Sequence, residues 1–325
     1  MNLTLPPSKA SPHYDLLIIG AGIAGLAAGR MAQQSGQKVI LIDKGRRVGG
    51  RVSTHSNDGF VFNHGAQFAT SNSSEFGDIL RAASSAGMAT EWRTGDKKMV
   101  VIGTPMMRAL PMFLADNLPI QQNRRIASII HKTDHIQCVD TDDVPLTARK
   151  VICTAPAPQT VALLADDFPD LAATASQAAY APCLTIMLGL ADDEHLPKMP
   201  LKAPQHDIGW AICENARPTA AQHRPALTIQ ADAAWSTAHK NHTADSIIKH
   251  LIEKYQLATG CQIGAVLNAH EHRWLYAKVT TPSPEDSIIC QNNLAIAGDW
   301  LRGARIEHAF MSGQRAFLAL HQTHA

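Results

Sequence analysis

The sequence predicts an α/β protein of two domains: one built on a parallel sheet from separated stretches of the chain, the other α+β and set between them. Two stretches carry the first half of that prediction. Residues 14–29 read YDLLIIGAGIAGLAAG, and residues 294–313 read LAIAGDWLRGARIEHAFMSG. The second half rests on a change of pattern from about residue 160 to 264, where apolar strands and one amphipathic helix follow a pair of prolines.

Leu16, Leu17, Ile18 and Ile19 are a continuous apolar run, the signature of a parallel strand covered on both faces. Gly20, Gly22 and Gly25 follow as G-x-G-x-x-G and open an Ala-rich helical stretch from Ile23 to about Ser35. Gly20 permits the tight turn, Gly22 lets the backbone approach a pyrophosphate, and Gly25 lets the helix sit close to the strand. The helix start, Ile23 and Ala24 included, presents free N–H groups and the positive end of the helix dipole to phosphates. Gly36 suits the position after the helix, and a second strand at 38–42 ends at Asp43. An acid about 20 residues past the turn can bind the ribose hydroxyls of an adenosine. The competing explanation is a Gly-rich turn with no ligand. The strand, the helix and the acid falling in register argue for the Rossmann-type dinucleotide site instead.

Composition narrows the function classes. The chain has 325 residues, 45% of them apolar and 18% charged, as in ordinary globular proteins with an ample core. Lys plus Arg is 29 against 28 Asp plus Glu, a balance that argues against a nucleic-acid or anionic-membrane surface. The six cysteines form no C-x-x-C, which suits reduced thiols in a cytoplasmic protein and excludes the redox pair of disulfide reductases. MNLTLPPSKASPH has no signal-peptide core and reads as a disordered tail, and no run of 18 apolar residues predicts a membrane span.

The remaining elements follow from periodicity. Gly49, Gly50 and Arg51 form a second glycine pair with a guanidinium, as a long diphosphate cofactor needs. Residues 60–68 alternate and then turn through Gly65. Residues 72–89 and 104–118 read as helices, with a strand at 97–103. Residues 126–130 and 136–139 read as a hairpin and 150–153 as a core strand, after which Pro156 and Pro158 mark a boundary. Strands follow at 180–190, 208–213 and 226–231, then a helix at 243–257. A strand at 272–277 leads back to the first domain, whose last strand is 294–297 and last helix 306–320. The expected division is 1–70, 103–160 and 275–325 for the cofactor domain and 71–102 and 161–274 for a substrate domain.

Gly298 and Asp299 follow a short buried strand and precede the last helix. In an FAD site this Asp accepts a hydrogen bond from a ribityl hydroxyl. The helix starting near Ile306 and Glu307 aims its N–H groups at the pyrimidine edge of the isoalloxazine, where charge builds on reduction.

GAGIAG at 20–25, GGR at 49–51, HGAQF at 64–68, and AGDW at 297–300 with the following IEHAFMSG resemble the flavin amine oxidase superfamily. Within it, DKGRRVGGR, GAQF, the Gly103-Thr104-Pro105-Met106 turn and HRWLYA at 272–277 are most similar to renalase and its bacterial relatives. The resemblance implies a p-hydroxybenzoate hydroxylase-like two-domain arrangement and FAD contacts at Gly20, Gly22, Gly25, Asp43, Lys44, Gly50, Arg51, Ile126 and Asp299, with Ala66 and Gln67 near the ring. It further implies oxidation of isomeric 2- or 6-dihydronicotinamide dinucleotides, NAD or NADP, with dioxygen reduced to hydrogen peroxide. Two departures stand out. His308 occupies a position where the family has Gly; its imidazole either crowds and tunes the flavin or turns away as a helix-cap group. No Ser-Gly-Gly-Cys-Tyr stretch precedes the last strand, and Cys290 sits in SIICQNN, so FAD is expected to be non-covalent.

Candidate catalytic residues are Gln67, Trp274, Tyr276 and His308, with Tyr180 behind them. A dihydropyridine needs no acid or base, so orientation and exclusion of water are the chemistry asked of the protein. His270 and His272 share a strand face, but no third ligand is near in sequence and no metal site is expected. His239 with His242, and His321 with His324, read as solvated, and Ser312 has no nucleophile elbow. The alternatives are a flavin amine oxidase acting on a small amine, which would want an aromatic cage that a chain with 5% aromatics poorly supplies, a carotenoid or porphyrinogen desaturase-like enzyme, disfavoured by the short chain and missing membrane-facing helix, and a flavin-binding regulator without turnover.

Overall fold

A computed structural model describes residues 13–95, 98–218 and 224–322. The expected N-terminal tail, the start of the strand at residue 97, and His324 lie outside the described residues, apart from His13. In chain order the elements are β1 (Tyr14–Ile19), α1 (Ile23–Gln34), β2 (Val39–Ile42), β3 (His55–Asn57), β4 (Phe60–Phe62), α2 (Ser74–Ser85), β5 (Ala89–Arg93), β6 (Met99–Gly103), α3 (Ala109–Ala115) and β7 (Ile120–Gln121). There follow β8 (Ile126–His131), β9 (Ile136–Asp140), β10 (Pro145–Cys153), α4 (Ala157–Leu164), α5 (Pro169–Ser176), β11 (Ala179–Leu190), β12 (Leu201–Ala203), β13 (Ile208–Cys213) and β14 (Ala226–Ala231). The chain closes with α6 (Ala233–His239), α7 (Ala244–Thr259), β15 (Val266–Thr281), β16 (Cys290–Gln291), β17 (Leu294–Ile296) and α8 (Ile306–Gln322).

The first sheet runs β16-β17-β10-β1-β2-β7, with the β8–β9 hairpin joined through β9 to β10. β1 is central, with Ile19 opposite both Ile42 and Cys153 in parallel register. β17 lies parallel beyond β10, Ile296 facing Cys153, so the turn at Gly298 opens at the same sheet edge as the turn at Gly20. That edge, where chain order reverses on either side of β1, is where doubly wound sheets bind ligands. Leu16, Leu17, Ile18 and Leu41 are wholly buried, as the continuous apolar runs require. Helix α8 lies directly on α1: a Cβ at Gly313 would stand 2.0 Å from the Ala24 carbonyl oxygen. A Cβ at Gly25 would stand 1.9 Å from the Gly20 carbonyl oxygen, which is why only glycine lets α1 follow β1 so tightly.

The second sheet is antiparallel, β12-β13-β14-β11-β15. One face packs Leu184, Ile186 and Leu188 against Ile247, Leu251 and Tyr255 of α7. Thr243 caps α7 by accepting from the Ser246 N–H, and Gly260 at φ 70° ends it. β15 is the edge strand, and alternation places His270, His272, Trp274 and Tyr276 on one face. A division between residues 274 and 275 falls inside this strand. Segment 71–102 packs Phe76, Leu80, Trp92 and Ile102 into the same apolar cluster as α1 and α8, with Trp210 and Ile212 of the second sheet reaching it.

Several elements differ from sequence expectation. The helix expected at 72–89 stops at Ser85, and Ala89 begins a strand. The helix expected at 104–118 begins only at Ala109, because Pro111 is tolerated in a first turn and not deeper. Pro156 and Pro158 mark the start of α4. No helix among the described residues is long and apolar enough to cross a membrane.

A buried polar network ties the second sheet to residues 63–67. Glu214, 2% exposed, accepts from the Asn63 backbone N–H (2.9 Å), Asn63 Nδ2 (2.8 Å), Thr228 Oγ1 (2.6 Å) and Arg217 Nε (2.7 Å). Arg217 continues to the backbone oxygen (3.1 Å) and Oε1 (2.5 Å) of Gln67. Removing one partner of a buried ion pair strands the other charge. Glu214→Ala is therefore expected to cost about 3–5 kcal/mol in urea unfolding, against under about 0.5 kcal/mol for exposed Glu91→Ala.

Candidate functional site

The two glycine turns are laced together. The Gly49 N–H donates to the Ala21 carbonyl (2.8 Å), and the Gly20 N–H to the Ile42 carbonyl (2.8 Å). Gly20 adopts φ 105°, open to glycine alone without strain. Helix α1 has Gly22 at its N-cap, no side-chain cap and no acid in its first turn. Its first amides are thus left for a ligand, and Gly22, Ile23 and Ala24 line a cavity of about 1550 Å³. Asp43 accepts from the Ala21 and Gly45 N–H groups, both at 2.6 Å, so the acid braces the turn as well as facing the cavity. Lys44 donates to Gln159 Oε1 (3.0 Å), and burial, then Arg125, hold its ammonium below the usual lysine range despite Asp43. Ile126 closes this end.

At the opposite end, Arg51 and Asp299 form a two-pronged pair, Nη2–Oδ1 2.6 Å and Nη1–Oδ2 3.0 Å. Arg51 Nη1 also reaches the carbonyls of Tyr276 and Ala277, each at 3.2 Å. One guanidinium therefore joins the second glycine turn, the Gly298 turn and β15. The Gly298 N–H donates to Ser312 Oγ (2.6 Å), which gives that serine a structural role. Gly50, Gly298, Asp299 and Ile306 all line the cavity.

The wall of this end is aromatic and imidazole. Trp274 Nε1 donates to the His64 carbonyl (2.8 Å), and its ring stacks on His64 at 5.2 Å with His272 at 4.3 Å. His55 stands 6.2 Å from His64 and 5.1 Å from His270. Tyr276 meets Tyr180 edge-on at 5.7 Å. Burial pushes the His64 imidazole down to about 3, with His272 and His55 adding to it and the Phe62 carbonyl opposing. Burial also lowers His55 and His272, reinforced by His270 on the first and by His55 on the second. The wall is therefore neutral at physiological pH. Ala66, Trp274 and Tyr276 line the cavity.

Among the anticipated residues, Gly25, Gln67, Tyr180, Glu307 and His308 do not line that cavity. Gln67 is buried in the network with Arg217, and its Nε2 donates back to the Asn63 and Gly65 carbonyls. Glu307 is 4% exposed and turned to the start of α2, accepting from the Asn72 and Ser73 N–H groups at 2.7 Å each. His308 lies on a separate shallow cleft with Ser283 and Arg302, its Nδ1 3.0 Å from the Gly303 carbonyl oxygen. Of the two positions the sequence left open for it, this is the one turned away. Gly25 acts from behind the turn. The sequence reading passed over Arg47, His55, Phe68, Arg108 and Thr154, all of which line the cavity. Of these, Phe68 lies with His64 inside HGAQF and Arg47 inside DKGRRVGGR, while His55, Arg108 and Thr154 lie in no motif named above. Among the described residues no group of three or more His, Cys, Asp or Glu is placed to hold a metal.

Residues 18–83 match the NAD(P)-binding Rossmann-like domain. Lysine-specific histone demethylase 1 homolog 1 of Oryza sativa subsp. japonica is 30% identical over 157 residues, 44% of this chain and 17% of its own length. An L-amino acid oxidase of Cerastes cerastes is 49% identical over 50 residues, 15% of this chain and 10% of its own. The chain thus spans under a fifth of the length of these curated relatives. Among solved structures, a protein of Exiguobacterium sp. 255-15 proposed to be a protoporphyrinogen oxidase has a TM-score of 0.76 at 13% identity, over 97% of this chain and 100% of its own. Cyclohexylamine oxidase of Brevibacterium oxydans IH-35A has a TM-score of 0.73 at 12% identity, over 96% and 99%. These superpositions establish a two-domain α/β fold with a Rossmann-like cofactor domain.

The donor set fits FAD: free helix amides and paired glycines for the diphosphate, Asp43 at one end, and Asp299 with the start of α8 at the other. Asp299→Ala leaves Arg51 without its partner and is expected to weaken FAD retention about 10- to 100-fold, measured by flavin released on dilution. His64 gives a pH signature. Its folded-state value lies below the unfolded 6.5, so its contribution is complete above pH 6.5 and drains as pH falls toward 3. The loss approaches about 1.4 kcal/mol per pH unit. Urea midpoints between pH 6.5 and 4.5 should fall less steeply in His64→Gln than in the parent.

Proposed function

We propose that this chain is an FAD-dependent oxidoreductase, renalase-like in activity, that oxidises the 2- or 6-dihydro isomers of NAD(P)H to NAD(P)+ with dioxygen reduced to hydrogen peroxide. The observation that carries the reading is the Arg51–Asp299 pair, which sets the glycine turns and the Gly298 turn on one continuous cavity. At about 1550 Å³ that cavity exceeds the roughly 300–1,000 Å³ of a single small-molecule site, leaving room for a second ligand beside a cofactor.

FAD, when bound, supplies the two-electron acceptor that takes a hydride from the substrate carbon. The chain's own residues bind, orient and shield. The amides of Ile23 and Ala24 and the backbone at Gly50 hold the diphosphate, and Asp43 holds the ribose. Arg51 is fixed by Asp299 and by two β15 carbonyls, so the ring end of the site is pre-set before any ligand arrives. Trp274 offers a face for a flat nicotinamide, held square by its bond to the His64 carbonyl. The neutral imidazoles beside it add hydrogen-bonding capacity without adding a positive charge. No side chain need take a proton from the donor ring.

Ten Lys and Arg side chains line the cavity against two acids, Asp43 and Asp299, which supports an anionic substrate over an amine. Purified protein should carry a flavin spectrum, and anaerobic mixing with aged NADH, which contains the isomers, should bleach it within a turnover. Bleaching by putrescine or cyclohexylamine in place of the isomers would move the assignment to an amine oxidase. A flavin that no donor bleaches would mark a binding protein.

A further inference from the structure

One part of the cavity is lined by residues outside both glycine turns. Its walls are Thr54 and His55 of the β3 edge, Arg46 and Arg47 before the second glycine pair, Arg108 before α3, and His272 of β15. Arg108 is held in place: its backbone N–H donates to Thr54 Oγ1 (3.3 Å) and its Nη1 to the Thr54 carbonyl (3.0 Å). Arg46 and Arg47 are exposed at the mouth. Among the described residues, none of these three guanidiniums has a carboxylate within 4 Å, and no acid lines this part. Burial first, and then Arg47, disfavours the charged form of Arg108, and burial, then His270 and Arg47, that of His55.

Such an arrangement is costly in an empty protein and gains when an anion enters. A second observation points the same way. His64, 7% exposed, lines the cavity with Nδ1 lacking a hydrogen-bond partner, and His55 Nε2 is likewise buried and unpartnered. A neutral imidazole can present one N–H to an oxyanion, and an arginine can present two.

We propose that Arg47 and Arg108, with the imidazoles of His55, His64 and His272, form a subsite for a phosphoryl group of the substrate, separate from the turns that take the diphosphate of FAD. The inference rests on the reading of this cavity as a joint cofactor and substrate site, and deepens it by naming what holds the far end of the substrate. A diphosphate bridging two nucleosides and a terminal phosphomonoester share the chemistry. A diamine has the opposite charge, and the subsite repels it.

The test is calorimetric titration of the protein as purified with inorganic pyrophosphate, orthophosphate and putrescine in turn. Pyrophosphate is expected to bind, with about a tenfold loss in Arg47→Ala and a further loss of similar size when Arg108→Gln is added. Arg47 is exposed and no side-chain hydrogen bond or ion pair of it is found among the described residues, so Arg47→Ala is expected to keep the fold and isolate the charge; Arg47→Glu should abolish binding. Orthophosphate matching pyrophosphate would assign the subsite to a phosphomonoester, and a clear preference for pyrophosphate would assign it to a dinucleotide. Equal binding of pyrophosphate by parent and double variant, no binding by the parent, or putrescine binding alone would overturn the subsite. Flavin content is read from the same samples. A yellow protein indifferent to pyrophosphate loses the subsite alone, whereas a colourless one that binds pyrophosphate through Arg47 keeps the subsite and loses the flavin reading.

Discussion

The pairing of Arg51 with Asp299 is the constraint on which this molecule turns. Nearly 250 residues separate the partners, |i−j| being 248, and each comes from a turn that follows a parallel strand. Asp299 is almost wholly buried, so its charge tolerates that position only because the guanidinium meets it with two bonds. The same guanidinium spends a further donor on two β15 carbonyls, which ties the second sheet to the first. The cavity, its aromatic wall and the start of α8 all take their positions from this junction.

A different set of contacts holds the roof. Glu214, Arg217 and Gln67 look from the sequence like scattered polar residues, yet together they lock residues 63–67 under the second sheet. Gln67 thus serves by placing its neighbours His64 and Ala66 on the cavity. The distinction matters chemically: the groups beside Trp274 are neutral rings and cations, while the buried carboxylates of Glu214 and Glu307 are consumed in architecture.

What could be read in the residues was what local rules govern. The Gly20 turn, the runs at 16–19 and 294–296, and the cap and end of α7 follow from periodicity, glycine and one capping threonine. The true start of α3 was legible too, had Pro111 been given its full weight. Out of reach were the residues whose role depends on pairing between distant strands. His55, His64 and His272 come together because β3, residues 63–67 and β15 converge, and nothing within any of the three segments announces it. His308 and Glu307 were misplaced for a related reason. Helix periodicity shows which residues share a face, and only the packed α2 shows that Glu307 is spent on its amides.

Gly313 resting on the Ala24 carbonyl has a bearing on how the molecule is made. Helix α8 cannot dock until α1 is formed, and β17 cannot add to the sheet until β10 is in place. The first contact spans most of the chain and the second joins residues 151–153 to 294–296, the kind of pairing that forms late because loop closure must come first. The phosphate end of the dinucleotide cradle is built from residues early in the sequence and its ring end from late ones, so the two halves meet only once α8 packs on α1.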